Sequence, residues 1–259
     1  MEIQGFDETD LHVLQEEGYL LLLAVKGTYK ASLKQKSYVD YETDSENRTS
    51  MKEKVLKRRR QYTSKQNEYT VLVFDICSST VFIEDLVKTN QLETYCDLVE
   101  SFRNLLLSIR ISGMTIYKFL GDGFVLLFGS EILFDEVLLV SKKLAEFAKD
   151  TLGKFIRENI ETTAIPRIGI TIGIDIGNLN DLKLDGTDEF IGRPLNVSSR
   201  LQGSLKDKNH ENKILMSVKA YKKISNLKIK RKCIERERIF RNLSDNNRTR
   251  CYELDALWT

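Results

Sequence analysis

The stretch YKFLGDGFVLLFG, residues 117–129, places an aspartate between two glycines with an apolar run on each side. The flanking runs are rich in aromatic and β-branched residues, and a Gly-Asp-Gly between such runs is typical of a hairpin turn. Asp122 is therefore predicted at the tip of a tight turn between two half-buried strands. Asp-Gly also occurs in turns simply because both residues tolerate a positive φ, so a functional role for Asp122 needs a second aspartate nearby.

The composition is that of an ordinary globular protein. The chain has 259 residues, of which 41% are apolar and 30% charged, and a net charge of +2, so no general attraction to nucleic acid or membrane is implied. Its four cysteines occur singly, which disfavours a zinc site or a disulfide framework and fits a reducing compartment. The first residues do not read as a secretory signal, and the longest apolar run, residues 19–25, is too short to cross a membrane. We predict a cytoplasmic protein.

A change of texture near residue 66 divides the chain into two predicted parts. Residues 1–66 carry leucines at helical spacing and then a polar stretch, and are predicted to form a helical extension or linker. Residues 67–259 are predicted to form the main domain. The basic cluster MKEKVLKRRR, residues 51–60, fits a solvated helix face or a patch for nucleic acid. The near-neutral net charge and the absence of interleaved aromatic residues disfavour the second interpretation.

Apolar periodicity predicts the elements of the main domain. A buried strand at 69–76 is followed by an amphipathic helix at 95–109, the hairpin and a second helix at about 132–152. RIGITIGIDIG, residues 167–177, alternates isoleucines with a glycine-rich face, which suggests that something large packs there. This order is β-α-β-β-α-β, the ferredoxin-like α+β arrangement with helices on one face of an antiparallel-rich sheet.

Further elements follow towards the C-terminus. The sequence predicts a short helix at 194–203, a strand at 213–217 and a helix at 218–224. Two strand-like pieces, LKIKRKCI (227–234) and RCYELD (250–255), complete the chain.

A second aspartate ends the first predicted strand, in VFDICSST. In a ferredoxin-like sheet this strand lies beside the hairpin strands, so Asp75 and Asp122 are expected to converge at one edge. Two carboxylates and a main-chain carbonyl such as that of Ile76 form an oxygen cage suited to Mg²⁺ or Mn²⁺. Ions held in this way commonly bind a nucleoside triphosphate and support attack at phosphorus.

Three motifs, VFDICSST, KFLGDG and GRPLNVSSRLQ, resemble those of the class III nucleotide cyclases in order and spacing. The resemblance covers about residues 70–254. Three positions depart from the usual pattern, where Phe, Val and Ala are common: Val73, Leu195 and Ser198. The resemblance implies an α+β class III cyclase catalytic domain preceded by a helical extension.

The resemblance also implies site residues and a reaction. The ribose 3′-hydroxyl of a nucleoside triphosphate attacks its own α-phosphate, giving a 3′,5′-cyclic nucleotide and pyrophosphate. Two divalent ions, Mn²⁺ or Mg²⁺, would be held by Asp75, Asp122 and the main chain of Ile76. Asn196 would orient the ribose, and Arg200, one helical turn further on, would meet charge at the α-phosphate.

In this family the metal-binding and nucleotide-binding residues of one site come from two catalytic domains. This chain carries both sets, so the resemblance implies a homodimer with two equivalent sites.

The base-reading positions of the family fall on Lys118 and Glu189, with Arg193 nearby. Lys118 matches the adenylate cyclase pattern, whereas Glu189 does not match cleanly and, with its bulky neighbours, favours a shorter pocket. The chain looks most like bacterial pyrimidine cyclases of anti-phage signalling, whose cyclic UMP or cyclic CMP is sensed by a separate effector. Adenylate cyclase is the alternative, and a catalytically silent nucleotide-binding module is the alternative of another class.

Overall fold

The computed structural model describes residues 66–161, 168–184, 187–205, 211–240 and 248–259. The predicted extension, residues 1–66, and the basic cluster at 51–60 lie outside the described residues except for Gln66, so both remain predictions. The described elements, in chain order, are β1 (Gln66–Ile76), α1 (Ser79–Lys88), α2 (Leu92–Ser108), β2 (Met114–Phe119), β3 (Gly123–Gly129), α3 (Phe134–Asn159), β4 (Ile170–Leu184), β5 (Thr187–Ile191), α4 (Arg193–Gly203), β6 (Lys213–Ser217), α5 (Val218–Lys222), α6 (Leu227–Lys230), β7 (Ile234–Ile239) and β8 (Arg248–Asp255).

The strands form one mixed sheet in the order β2-β3-β1-β4-β6-β8-β7, with β5 paired to β4. Every described pairing is antiparallel except that of β4 with β6. The first four strands take the order β2-β3-β1-β4, with helices in the two crossovers. The predicted ferredoxin-like α+β fold is confirmed.

The main core lies between one face of the sheet and helices α1, α2 and α3. It buries alternate residues of the strands, such as Leu72 and Phe74 of β1 and the isoleucines of β4, against Phe82, Phe102 and Leu144. Alternation follows from the two-residue period of a strand, which sends successive side chains to opposite faces. None of the described helices has the length and apolar character needed to cross a membrane.

Helix α4 packs on the opposite face of the sheet and accounts for the glycines of β4. A Cβ at Gly173 would lie 2.0 Å from the carbonyl oxygen of Ser198, and one at Gly177 would lie 2.8 Å from Pro194. Ser198 also donates from its hydroxyl to the carbonyl of Val71 at 2.9 Å. The expectation that something large covers this bare strand face is confirmed. The sequence predicted helices on one face of the sheet only, whereas α4 covers the other face.

Several predicted boundaries change in the structure. The helix predicted at 95–109 starts at Leu92 and is preceded by a separate helix, α1. Residues 227–230, predicted as part of a strand, form α6, because the side chain of Asn226 accepts hydrogen bonds from the N–H groups of Lys228 and Ile229 and so starts a helical turn. The loop expected before α4 contains β5.

Candidate active site

Asp75 and Asp122 lie next to each other at one edge of the sheet. Asp75 is the penultimate residue of β1 and lies opposite Gly123 of β3, and the N–H of Ile76 donates to the carbonyl of Asp122 at 3.0 Å. Gly123 permits this approach, because a Cβ there would lie 2.0 Å from the carbonyl oxygen of Phe74. The turn itself uses Gly121 at φ 93°, a conformation that glycine adopts readily.

The side chain of Asp122 is held from helix α1. Its Oδ2 accepts a hydrogen bond of 2.6 Å from the hydroxyl of Ser79, which is buried at the start of that helix. The chain turns from β1 into α1 through Ser78, which has a left-handed conformation with φ 60°. No role for Ser79 was predicted from the sequence, although its place four residues after Asp75, at a strand-to-helix junction, marks it as a residue able to reach the hairpin.

The side chain of Asp75 is held from helix α4. Asp75 Oδ2 accepts a hydrogen bond of 3.2 Å from Gln202 Nε2, which also donates to Thr171 Oγ1 at 2.8 Å. All three side chains are buried. Gln202 was quoted in the third motif without being assigned a role.

Tyr95 of α2 also belongs to this region. Burial, and then the negative charges of Asp122 and Asp75, raise the pKa of Tyr95, so its phenol keeps its proton. Within the described part of the chain, its buried hydroxyl has no hydrogen-bond partner. Tyr95 therefore places a protonated donor close to the two carboxylates.

The oxygen donors of this edge suit a hard divalent cation. Among the described residues, no group of three or more His, Cys, Asp and Glu side chains is placed to hold a metal. Asp75 and Asp122 are the carboxylates that this edge could offer to a cation, and oxygen donors of this kind fit Mg²⁺ or Mn²⁺ better than a thiolate- or imidazole-seeking ion.

Lys118 and Glu189 meet in the structure, although 71 positions separate them. Lys118 Nζ lies 2.6 Å from Glu189 Oε2. Burial pulls the pKa of Lys118 down, but hydrogen bonds to Glu189 and Tyr117 outweigh it and raise the pKa, which keeps the ammonium charged. The hairpin β4-β5 makes this contact possible because it places Glu189 opposite Leu182, far along β4.

Tyr117 completes this cluster and was not assigned from the sequence. The register of β2 against β3 shifts between Ile116 and Lys118, and Tyr117 is the extra residue of this irregularity. Its hydroxyl donates to Glu189 Oε2 at 2.6 Å and accepts from the N–H of Phe190 at 3.0 Å. Its ring meets that of Phe190 edge-on, with centroids 5.0 Å apart.

Arg193, the third predicted base-reading residue, lies elsewhere in this chain. It begins α4, and its guanidinium is 3.9 Å from Oδ2 of Asp175, a buried carboxylate of β4. Burial raises the pKa of Asp175, partly offset by a hydrogen bond from Ser217. The structure therefore brings Lys118 and Glu189 together and places Arg193 on a different carboxylate.

Asn196 and Arg200 lie on the exposed side of α4, whose buried side carries Ser198 and Gln202. Arg200 lines an open cavity of about 350 Å³ together with Ser204, Ile239 and Phe240. One helix thus presents Asn196 and Arg200 outward and supports Asp75 inward.

Comparisons with known proteins agree on the fold. No family model matches the chain, and no curated protein matches it. Several solved structures match the chain. The guanylyl cyclase Cya2 has a TM-score of 0.55 at 15% identity over 73% of this chain and 92% of its own. The adenylyl cyclase CyaB from P. aeruginosa has a TM-score of 0.55 at 19% identity over 73% and 94%.

A third similar structure is the guanylate cyclase domain of RhGC from Catenaria anguillulae in complex with GTP. Its TM-score is 0.51 at 18% identity over 73% of this chain and 97% of its own. The chain therefore has the fold of adenylyl and guanylyl cyclase catalytic domains.

Proposed function

We propose that the protein is a nucleotide cyclase that converts a nucleoside triphosphate into a 3′,5′-cyclic mononucleotide and pyrophosphate. The observation that carries the proposal is the juxtaposition of Asp75 and Asp122 at the edge of a cyclase-type sheet. Both carboxylates are oriented by hydrogen bonds from other elements. Such support is typical of residues that hold a cation.

Asp75, Asp122 and the main chain at Ile76 would hold the divalent ions, two of Mn²⁺ or Mg²⁺. When bound, these ions lower the pKa of the ribose 3′-hydroxyl and neutralise charge on the triphosphate. The 3′-oxygen then forms a bond to the α-phosphorus, the bond to the bridging oxygen breaks, pyrophosphate leaves with the electron pair, and the hydroxyl proton passes to solvent. Ser79 keeps Asp122 in place during this step.

Asn196 and Arg200 would orient the ribose and offset charge at the α-phosphate. They are exposed on α4, on the side of the helix away from the Gln202 contact with Asp75. In a two-fold dimer, Asn196 and Arg200 of one protomer would face the carboxylates of its partner, because the axis pairs α4 of each protomer with Asp75 and Asp122 of the other. We therefore propose a homodimer with two shared sites.

Lys118 and Glu189 would read the base, and the proposed base is a pyrimidine. The support is Tyr117, whose hydroxyl donates a hydrogen bond to Glu189 and whose ring packs edge-on against the ring of Phe190. In the proposed site these two aromatic rings would take up room that a two-ring base needs. Lys118 offers a donor to a ring carbonyl, and UTP and CTP both carry one. Arg193 would contact the base only if its guanidinium moved away from Asp175.

The product would be cyclic UMP or cyclic CMP. By the resemblance to bacterial pyrimidine cyclases, it would act as a second messenger for a separate effector in antiviral defence. Adenylate cyclase activity is the second candidate, because Lys118 matches the adenine-reading pattern. A silent nucleotide-binding module is disfavoured because Asp75, Asp122, Asn196 and Arg200 are all present.

Pyrophosphate release tests the proposal. The purified full chain is incubated with ATP, GTP, CTP and UTP separately, with Mn²⁺ and with Mg²⁺. We expect release from a pyrimidine nucleotide by the wild type and by the control Asp97→Asn, an exposed carboxylate of α2, and none by Asp122→Asn. Equal release by Asp122→Asn and the wild type would show the cation assignment to be wrong.

A further inference from the structure

A buried network of hydrogen bonds connects α4 with Asp75, the penultimate residue of β1. Gln202 Nε2 lies 3.2 Å from Asp75 Oδ2 and 2.8 Å from Thr171 Oγ1. Gln202, Asp75 and Thr171 are only 6%, 6% and 2% exposed. One amide group therefore bridges residues at facing positions on the neighbouring strands β1 and β4.

The amide group of Gln202 is the donor in both of these hydrogen bonds. A side-chain NH₂ has two hydrogens, and here one is directed to a carboxylate and the other to a hydroxyl oxygen. The bond to Asp75 involves a charged acceptor, which makes it stronger than a bond between neutral groups. Gln202 therefore restricts the rotation of the Asp75 carboxylate.

The main chain of α4 is itself fixed against the sheet at this point. A Cβ at Gly173 would lie 2.5 Å from the backbone nitrogen of Gln202, so the helix rests directly on β4. One turn earlier, the hydroxyl of Ser198 donates to the carbonyl of Val71 at 2.9 Å. Gln202 thus projects from a well-anchored helix, which is what a residue that orients another side chain requires.

We propose that Gln202 is a positioning residue that holds Asp75 in the orientation in which it binds a divalent cation together with Asp122. This inference rests on the proposed cyclase function and deepens it. The helix that supplies Asn196 and Arg200 to one site of the proposed dimer would also orient a cation ligand of the other. The two sites would share α4 as a mechanical connection.

The test is the affinity of the purified full chain for Mn²⁺ without nucleotide, measured by calorimetry and by electron paramagnetic resonance of the Mn²⁺ ion. Gln202→Met keeps the length of the side chain and removes its hydrogen bonds. We expect about tenfold weaker Mn²⁺ binding, because outer-shell partners of a metal typically contribute roughly 10- to 100-fold to affinity. Ser198→Ala is the matched control, since it is buried, tethers the same helix to the same strand and bonds to Val71 rather than to Asp75.

The outcomes separate the inference from the function on which it rests. Weaker binding in Gln202→Met with wild-type binding in Ser198→Ala supports a positioning role. Equal Mn²⁺ binding by the wild type and Gln202→Met overturns the inference alone, and an equal loss in both variants overturns it in favour of simple helix docking. Failure of the wild type to bind Mn²⁺ overturns the cation site itself and the inference with it. If Gln202→Met does not fold, Thr171→Val removes the second anchor of the amide, and unchanged binding there contradicts the inference.

Discussion

The N–H of Ile76 donates to the carbonyl of Asp122 at 3.0 Å, which joins the end of the first strand to the tip of the hairpin. This bond puts two aspartates, 47 positions apart in the chain, at one edge of the sheet.

Mixed dimers test whether sites are shared between protomers. Asp75→Asn and Arg200→Ala should each be inactive alone. In a mixed dimer one of the two sites has both defects and the other has none, so an equal mixture should recover about one quarter of wild-type turnover. Turnover is measured after the two variants are unfolded and refolded together. Recovery no greater than the sum of the separate variants would place each complete site within one chain.

Tyr117→Ala should change which base is accepted. Removing the ring beside Phe190 opens space next to Lys118 and Glu189, so purine turnover should rise relative to pyrimidine turnover by about tenfold or more. The measurement is the ratio of kcat/KM for ATP and UTP. Phe119→Ala, which removes a half-exposed ring from the same strand, is the control and should leave the ratio unchanged. An unchanged ratio in Tyr117→Ala would remove Tyr117 from the specificity argument.

Gly123→Ala should destabilise the fold. The added Cβ would lie 2.0 Å from the carbonyl oxygen of Phe74, a main-chain atom that cannot move without disturbing β1. We expect the free energy of unfolding to fall by about 1–3 kcal/mol or more, measured by denaturant titration. Gly203→Ala is the control, because nothing lies within 4 Å of its added Cβ, and it should be neutral or slightly stabilising. Equal stability of the two variants would contradict the close strand approach.

Asp175 should give the protein a pH-dependent stability. Burial raises the pKa of Asp175 above the ordinary value of 3.8, so the folded state holds this proton more tightly than the unfolded state. The contribution of Asp175 is fully present below pH 3.8 and is lost as the pH rises through the higher folded value. Asp175→Asn should therefore gain stability relative to the wild type across that interval, measured by denaturant titration at several pH values. A pH-independent difference in stability between Asp175→Asn and the wild type would contradict the raised pKa.

Local signals in the sequence were sufficient for the strands β1 to β4, whereas β5 and β7 were not predicted. A short apolar, β-branched run identified β1, period-two alternation identified β4, Gly-Asp-Gly identified the hairpin, and the glycine face of β4 indicated that something large packs there. These signals are local because a strand buries alternate residues and a tight turn needs glycine. The α6 segment was misread because its Leu-Lys-Ile-Lys alternation looks like a strand, while the capping side chain of Asn226 decides for a helix.

The partners of the key side chains could not be found in the same way. Ser79 reaches Asp122, Gln202 reaches Asp75, and Tyr117 reaches Glu189 only after strands and helices distant in sequence have packed. The Tyr117 contact also depends on an irregularity in β2, which a periodic pattern does not show. For Arg193, the position in a motif suggested a contact with the base, whereas in this chain its guanidinium lies 3.9 Å from Asp175.

The identity of the nucleotide product tests the proposed pyrimidine cyclase activity directly. Purified protein is incubated with UTP or CTP and Mn²⁺, and the product is identified by mass spectrometry and by chromatography against cyclic and linear standards. We predict a 3′,5′-cyclic pyrimidine mononucleotide, since the attacking oxygen belongs to the substrate's own ribose. A linear monophosphate would mean that water is the nucleophile and would contradict cyclisation, and a cyclic purine nucleotide in place of the pyrimidine would overturn the proposed base specificity.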